Sequence, residues 1–125
     1  MAIHPEILAQ HKALATGMDE IVERLQQLLG RGLIAQIGGA NDETTLECWR
    51  SGIGPGGDPE QRLRVAYQIA EYLSTSMRPS AIQAWFTQCN PILGEESPVG
   101  LLQEGVPEAR TVAIVAAARH FAHTQ

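Results

Sequence analysis

Residues 81–94 read Ala-Ile-Gln-Ala-Trp-Phe-Thr-Gln-Cys-Asn-Pro-Ile-Leu-Gly, and residues 97–105 read Ser-Pro-Val-Gly-Leu-Leu-Gln-Glu-Gly. The first part carries three apolar side chains at helical spacing: Ile82, Trp85 and Phe86. This helix must end before the Asn90-Pro91 pair, because a residue that precedes proline disfavours helical backbone angles. Ser97 then caps a second, short helix, which a glycine closes. We therefore predict two helices joined by a tight turn.

The remainder of the chain is organised in the same way, as amphipathic segments between glycine or proline breaks. Apolar residues recur at three- and four-residue intervals after Pro107 and in five earlier segments: 3–14, 21–29, 33–37, 43–49 and 63–77. No segment shows the sustained alternation of apolar and polar residues that is typical of a half-buried strand. The sequence therefore predicts a compact, all-α protein.

The sequence also predicts the ends and faces of several helices. Asp19, Asp42 and Asp58 stand where N-capping residues are expected. In the last helix, Glu108 and Arg110 are expected to remain solvated. The apolar side chains expected to face the core from this helix are Val112, Val115, Ala116 and Phe121.

A loop rich in glycine and proline divides the chain. Residues 51–58 read Ser-Gly-Ile-Gly-Pro-Gly-Gly-Asp, which makes this stretch the natural linker between helices. We expect residues 1–58 to form an N-terminal part with a helix-turn-helix-like segment. Residues 59–125 then form a connecting helix and a small helical C-terminal part, and the two parts share one core.

Composition narrows the class of function. With 125 residues, 44% of them hydrophobic, the chain is long enough for one small globular unit and too short for a multidomain enzyme. It lacks both a signal-peptide pattern and an apolar run of roughly 18 residues, so we expect a cytoplasmic protein with no membrane partner. A net charge of −5 and a single lysine, Lys12, argue against strong general binding of nucleic acid by a monomer.

Residues 33–52 have the pattern of a helix-turn-helix. A small residue, Ala35, stands where the two helices touch, Gly39 stands at the turn, and Trp49 anchors the second helix. A helical hairpin that serves stability alone is the alternative interpretation. The pattern therefore permits DNA binding without establishing it.

If this segment binds operator DNA, its polar side chains make the contacts. The candidates are Thr44, Thr45, Arg50 and Arg62, with further positive charge from Arg31 and Arg64. The same helix face carries three acids that repel phosphate: Asp42, Glu43 and Glu47. The acidic face opposes the DNA-binding interpretation.

No pattern in the chain predicts catalysis. Residues 52–57 match G-x-G-x-x-G, but a helix precedes them where a nucleotide-binding motif needs a strand. His120 and His123 could share a helix face, yet no third metal ligand is apparent. Cys48 and Cys89 are expected to be reduced, core or half-buried thiols. We expect a protein that is not an enzyme and holds no catalytic residue, metal or cofactor.

The stretch quoted first resembles the toxin-binding domain of Xre/MbcA/ParS-type antitoxins. That family shows a tryptophan-containing helix, an Asn-Pro turn, an apolar residue and a Pro-x-x-Leu-Leu helix followed by glycine. The matching residues, in order, are Trp85, Asn90, Pro91, Leu93, Pro98, Leu101, Leu102 and Gly105. The N-terminal half resembles the family as well, through Trp-x-x-Gly at residues 49–52 and the following loop and helix. The resemblance covers about residues 21–121.

The resemblance implies an antitoxin of a type II toxin–antitoxin system. Such a protein neutralises a RES-domain, NAD-consuming toxin by covering the toxin's active site with its C-terminal region. The implied toxin-binding residues are Trp85, Asn90, Pro91, Leu101, Leu102, Val115, Arg119, His120 and Phe121. The resemblance also implies repression of the protein's own operon, and we expect a homodimer or a higher oligomer.

A DNA-binding transcriptional regulator is the competing interpretation. In it, the chain is an orphan, or a phage- or plasmid-derived protein, that has no toxin partner and whose C-terminal part only dimerises. The two interpretations differ in salt dependence, because operator binding releases counterions and occlusion by an apolar helix does not.

Overall fold

The computed structural model describes residues 16–123, which form seven α-helices and one 3-10 turn. The helices are α1 (Met18–Leu28), α2 (Arg31–Gly38), α3 (Glu43–Arg50), α4 (Gly57–Ser74), α5 (Pro79–Thr87), α6 (Pro98–Gln103) and α7 (Glu108–His123), and the 3-10 turn is Pro91–Leu93. The described residues contain no strand, so the all-α prediction is confirmed. The helix predicted within residues 3–14 lies outside the described residues.

Helix α4 is the centre of the fold, and five of the other helices pack against it: α1, α2, α5, α6 and α7. Its buried residues lie on several sides of the helix, among them Leu63, Ala66, Ile69 and Leu73. Apolar side chains from both sides of residue 58 join in one contiguous buried cluster. None of the helices within residues 16–123 has the length and apolar character needed to cross a membrane.

Ion pairs and polar contacts attach α4 to its neighbours. Arg24 on α1 donates from Nε to the carboxylate of Glu71, which is only 9% exposed. Such a buried carboxylate needs a partner, because its desolvation otherwise costs several kcal/mol, about the total net stability of a small domain. Arg64 donates to the backbone oxygen of Thr16 at 2.8 Å and fixes the start of the described chain on α4.

The N-caps show which local predictions hold. Asp42 caps α3 as predicted, since its carboxylate accepts a hydrogen bond from the backbone of Thr45 at 2.9 Å. Asp19 and Asp58 do not cap their helices. The helices begin one residue earlier than each aspartate, after Gly17 and Gly56, so both aspartates lie inside the first turn. An acid there still interacts favourably with the helix dipole.

The last helix faces the core with other residues than the sequence predicted. Ile114, Ala117 and Ala118 are buried, while Val112 is 61% exposed and Ala116 is exposed as well. The predicted inward orientation is therefore wrong for Val112 and Ala116. Val115 and Phe121 are partly buried against the core, as expected. The error has a simple cause, because α7 carries apolar residues on every side and its periodicity marks no single face.

Two smaller expectations about exposure also need correction. Arg110 is half-buried and donates to the backbone oxygen of Gly105 at 2.9 Å, whereas Glu108 is exposed as predicted. Cys89 is an exposed thiol, contrary to the prediction, and lies just beyond the end of α5. Cys48 is half-buried as predicted.

Candidate functional site

The 3-10 turn and α7 enclose a surface cleft of about 330 Å³. We call this space the Trp85 cleft; its walls are Trp85, Gln88, Cys89, Asn90, Pro91, Ile92, Ala117, His120 and Phe121. Five of the nine sequence-predicted toxin-binding residues lie in these walls: Trp85, Asn90, Pro91, His120 and Phe121. The structure therefore brings together residues that are up to 36 positions apart, from 85 to 121, in one site.

The turn that forms one wall is held by hydrogen bonds of Asn90. Its side-chain oxygen accepts from the backbone of Ile92 at 3.0 Å, and its backbone nitrogen donates to Glu96 at 3.0 Å. Its backbone oxygen accepts from Glu95 at 2.9 Å. Gly94 and Glu95 both have left-handed backbone angles, with φ of +68° and +69°, which reverses the chain within a few residues. The closed turn holds Ile92 at the surface, 52% exposed.

The opposite wall is aromatic. Trp85 is only 5% exposed and packs edge-to-face on Phe86, with ring centroids 5.1 Å apart. Phe121 of α7 lies 6.3 Å from Trp85, centroid to centroid. The indole Nε1 of Trp85 is buried and has no hydrogen-bond partner within residues 16–123. A buried donor without an acceptor is uncommon, because leaving it unpaired costs about 1–3 kcal/mol.

Two other predicted residues lie on the far side of α7. Val115 and Arg119 line a second groove of about 370 Å³ between α7 and Gln68 of α4. We define the outer face of α7 by four exposed apolar residues, of which Val112 and Ala116 also line the second groove: Ala109, Val112, Ala113 and Ala116. Val112 and Ala116 were predicted to lie in the core.

Leu101 and Leu102 have little or no surface for a partner. Leu102 is fully buried, and Leu101 is half-buried against the core. Ser97 caps their helix as predicted, since its hydroxyl accepts from the backbone of Gly100 at 3.1 Å. These leucines fix α6 to the core, and Leu102 cannot contact a partner directly in this conformation.

The segment predicted to be helix-turn-helix-like consists of two consecutive helices, α2 and α3, which are joined by a short turn and which we call the α2–α3 hairpin. Gly39 adopts the left-handed conformation at the turn, with φ of +78°, and Trp49 is buried, both as predicted. A close approach to Trp49 is made at Gly38. A Cβ atom built on Gly38 would lie 2.7 Å from the Trp49 ring, so Gly38 is the residue that the packing requires. The sequence feature that could have indicated this role is the Gly38-Gly39 pair at the end of α2.

The basic residues of this hairpin are engaged by acids of the same surface. Arg31 pairs with Glu43 and lies 3.7 Å from Glu47, and Arg50 pairs with Glu47 at 3.2 Å. Thr44 is exposed on the same helix. Most of the positive charge expected to meet phosphate is thus neutralised within the protein.

Two further DNA-contact candidates have internal partners. Thr45 donates both its backbone N–H and its hydroxyl to Asp42, and these bonds, the backbone one foremost, hold the pKa of that carboxyl below its usual range. Arg62 donates to the backbone oxygens of Gln103 at 3.1 Å and Gly38 at 3.5 Å. The Arg62 guanidinium therefore joins the ends of α2 and α6.

The described residues contain no group of three or more His, Cys, Asp or Glu side chains placed to hold a metal ion. His120 and His123 are both exposed on α7. The glycine motif at residues 52–57 connects α3 to α4, so no strand precedes it.

Comparison of the chain with protein-family models, with curated proteins and with solved structures found no significant match.

Proposed function

We propose that this chain is the antitoxin of a type II toxin–antitoxin system and neutralises a RES-domain, NAD-consuming toxin. It acts by occlusion, with its C-terminal region covering the toxin's active site, and performs no chemistry itself. The proposal rests on the family resemblance of residues 85–105 and on one structural observation, the exposed apolar outer face of α7.

A helix that is apolar on all sides is ordinarily buried on all sides. Helix α7 buries Ile114, Ala117 and Ala118 in the rest of the described chain, with Val115 and Phe121 partly buried beside them. Its outer face presents Val112 and three alanines to solvent. Small side chains allow another backbone to approach closely, and this supports our assignment of the outer face as the surface for a protein partner.

The outer face is continuous with the polar groups that would enter the toxin's site. Arg119 and His120 lie on the same helix, toward its C-terminal end, and both are exposed. We assign these two side chains to the contact with the toxin because they are exposed and polar. A site that binds the phosphates of NAD is itself cationic, so the occlusion is steric and does not depend on their charge.

The proposal places the protein in the cytoplasm, as a homodimer or a higher oligomer. The internally paired arginines of α2 and α3 supply little free positive charge for operator DNA. Binding of the toxin is accordingly the central function in this proposal. Repression of the operon would require an oligomer, in which several copies of α3 contact the DNA together.

The test is co-purification with the product of the neighbouring gene, using Val112→Asp and Ile53→Asp. Burying an exposed valine contributes about 1.5 kcal/mol, so Val112→Asp should weaken the complex by tenfold or more, since a desolvated carboxylate adds to the loss. Ile53 is 66% exposed on the loop before α4 and serves as the matched control, which should bind as the wild type does.

Two results would contradict the proposal. Undiminished affinity of Val112→Asp would exclude the outer face of α7 as the contact surface. Absence of any complex, together with salt-sensitive binding of the wild type to its own promoter, would favour a transcriptional regulator.

A further inference from the structure

We propose that residues 3–14 of this chain dock as a helix in the second groove, between α4 and α7, and that this docking competes with the toxin. The docking does not depend on the proposed function, because it follows from the groove, from the place where the described chain begins and from the sequence of the segment. The competition rests on the proposed function, because the toxin is the molecule with which the segment competes.

The second groove is open and partly apolar. Gln68 of α4 and six residues of α7 between Glu108 and Arg119 line it. On the α7 side, Val112 is exposed and Val115 is half-buried. Covering apolar surface of this kind stabilises a protein in proportion to the area removed from water. The groove therefore favours an occupant with an apolar face.

The described chain begins next to this groove. Arg64 of α4 donates from Nη1 to the backbone oxygen of Thr16 at 2.8 Å. Gln68 follows Arg64 by four residues, so the two side chains are neighbours on one face of α4, about 6 Å apart along the helix axis. Residues 1–15 therefore join the described chain about one helical turn from the groove.

The length of the segment matches the length of the groove. The groove-lining residues of α7 begin at Glu108 and end at Arg119, a range that extends about 17 Å along the helix. Residues 3–14 also extend about 17 Å as a helix. Only Ala15 separates this segment from Thr16, so a short connection keeps the segment close to the groove.

The sequence of the segment provides the apolar face. Ile3, Ile7 and Leu14 fall on one side of a helix, because their spacings of four and seven residues are close to whole helical turns. Lys12 falls on the opposite side. A helix of about twelve residues is marginal in water on its own and depends on the packing of its apolar face. The second groove offers that packing within the reach of the segment.

Docking covers part of the surface that we assign to the toxin. Val112 and Ala116 line the second groove and also belong to the outer face of α7. The segment and the toxin cannot contact the same sides of these residues at once, so the apparent affinity for the toxin falls with the fraction of chains whose groove is free. The segment therefore makes the chain a weaker binder than its α7 surface alone.

Methyl NMR of the full chain tests the docking directly. In protein labelled at the methyl groups of isoleucine, leucine and valine, Val112 and Val115 should show nuclear Overhauser effects to Ile7 or Leu14. Ile7→Ser should shift the methyl signals of Val115, whereas Ala9→Ser, the matched control on the other side of the segment, should leave them in place.

Two results would overturn the docking. The first is the absence of nuclear Overhauser effects between the segment and α7 in the wild-type chain. The second is the appearance of these effects only between labelled and unlabelled copies in a mixed sample, because the occupant of the groove would then be a second copy of the chain.

Affinity for the neighbouring gene product tests the competition. Loss of one buried isoleucine side chain should weaken the docking by about tenfold. Ile7→Ser should therefore bind the gene product about threefold to tenfold more tightly than the wild type, and Ala9→Ser should bind as the wild type does. Equal or weaker binding of Ile7→Ser would refute the competition.

The two measurements separate this inference from the proposed function. Nuclear Overhauser effects between the segment and α7, in a chain that forms no complex with the gene product, would retain the docking and refute the antitoxin. A complex that Val112→Asp disrupts, in a chain without these effects, would retain the antitoxin and refute the docking.

Discussion

Gly38→Ala tests the packing of the α2–α3 hairpin. The added Cβ would lie 2.7 Å and 2.8 Å from two ring carbons of Trp49 and 3.2 Å from a methyl carbon of Leu63. Both side chains are buried and cannot move into solvent. Overpacking of this kind costs about 1–3 kcal/mol. The better helix propensity of alanine returns at most about 1 kcal/mol at this last helical position, so we expect a net loss of about 1–2 kcal/mol.

Gly32→Ala is the matched control on the same helix. No heavy atom lies within 4 Å of a Cβ built there, and the backbone is not left-handed, so this change should stabilise the protein by about 0.5–1 kcal/mol. Urea denaturation followed by circular dichroism measures both variants, and equal slopes ensure that midpoints can be compared. The reasoning is refuted if Gly38→Ala unfolds at the same or a higher urea concentration than the wild type.

Three further predictions concern other helices. Ile114→Ala should lower the free energy of unfolding by about 2–5 kcal/mol and Val112→Ala by less than about 0.5, and the reverse order in urea melts would restore the orientation of α7 that the sequence suggested. Arg62→Met should cost about 1.5 kcal/mol, because two backbone oxygens lose a charged donor; unchanged stability with weakened operator binding would instead make Arg62 a DNA contact. The folded-state pKa of Asp42 is lowered, so the cap's pH-dependent stabilisation is present above about pH 4 and lost as the pH falls through the folded pKa. Asp42→Asn keeps a hydrogen-bond acceptor and should remove this part of the loss of stability in acid. Curves of stability against pH that run parallel for the wild type and Asp42→Asn would disprove this prediction.

Local sequence signals predicted local structure well. Asp42 and Ser97 each accept the backbone hydrogen bond that their position indicated, because a cap depends only on residues about three positions away. The orientation of α7 depends on what surrounds the helix, and the apolar residues of its central part, 112–118, mark no preferred face. The sequence likewise could not predict that Gly38 contacts Trp49, because this contact depends on how α2 packs against α3.

The sequence named five of the nine residues that line the Trp85 cleft and did not predict the other four or the shape of the cleft. The resemblance named Trp85, Asn90, Pro91, His120 and Phe121, and the fold places all five around one cleft. The unpaired indole N–H could not be predicted, because burial and hydrogen bonding of a tryptophan depend on the packing of α7. The same applies to Arg62, whose two acceptors lie 24 and 41 positions away in the chain.

The most direct test of the central claim is the rate of NAD loss catalysed by the neighbouring gene product, measured with increasing amounts of this protein. NAD consumption should stop once the wild-type chain saturates the enzyme. Ile53→Asp should inhibit in the same way, and Val112→Asp should need tenfold or more protein for equal inhibition. Continued NAD loss in the presence of excess wild-type chain would contradict the account.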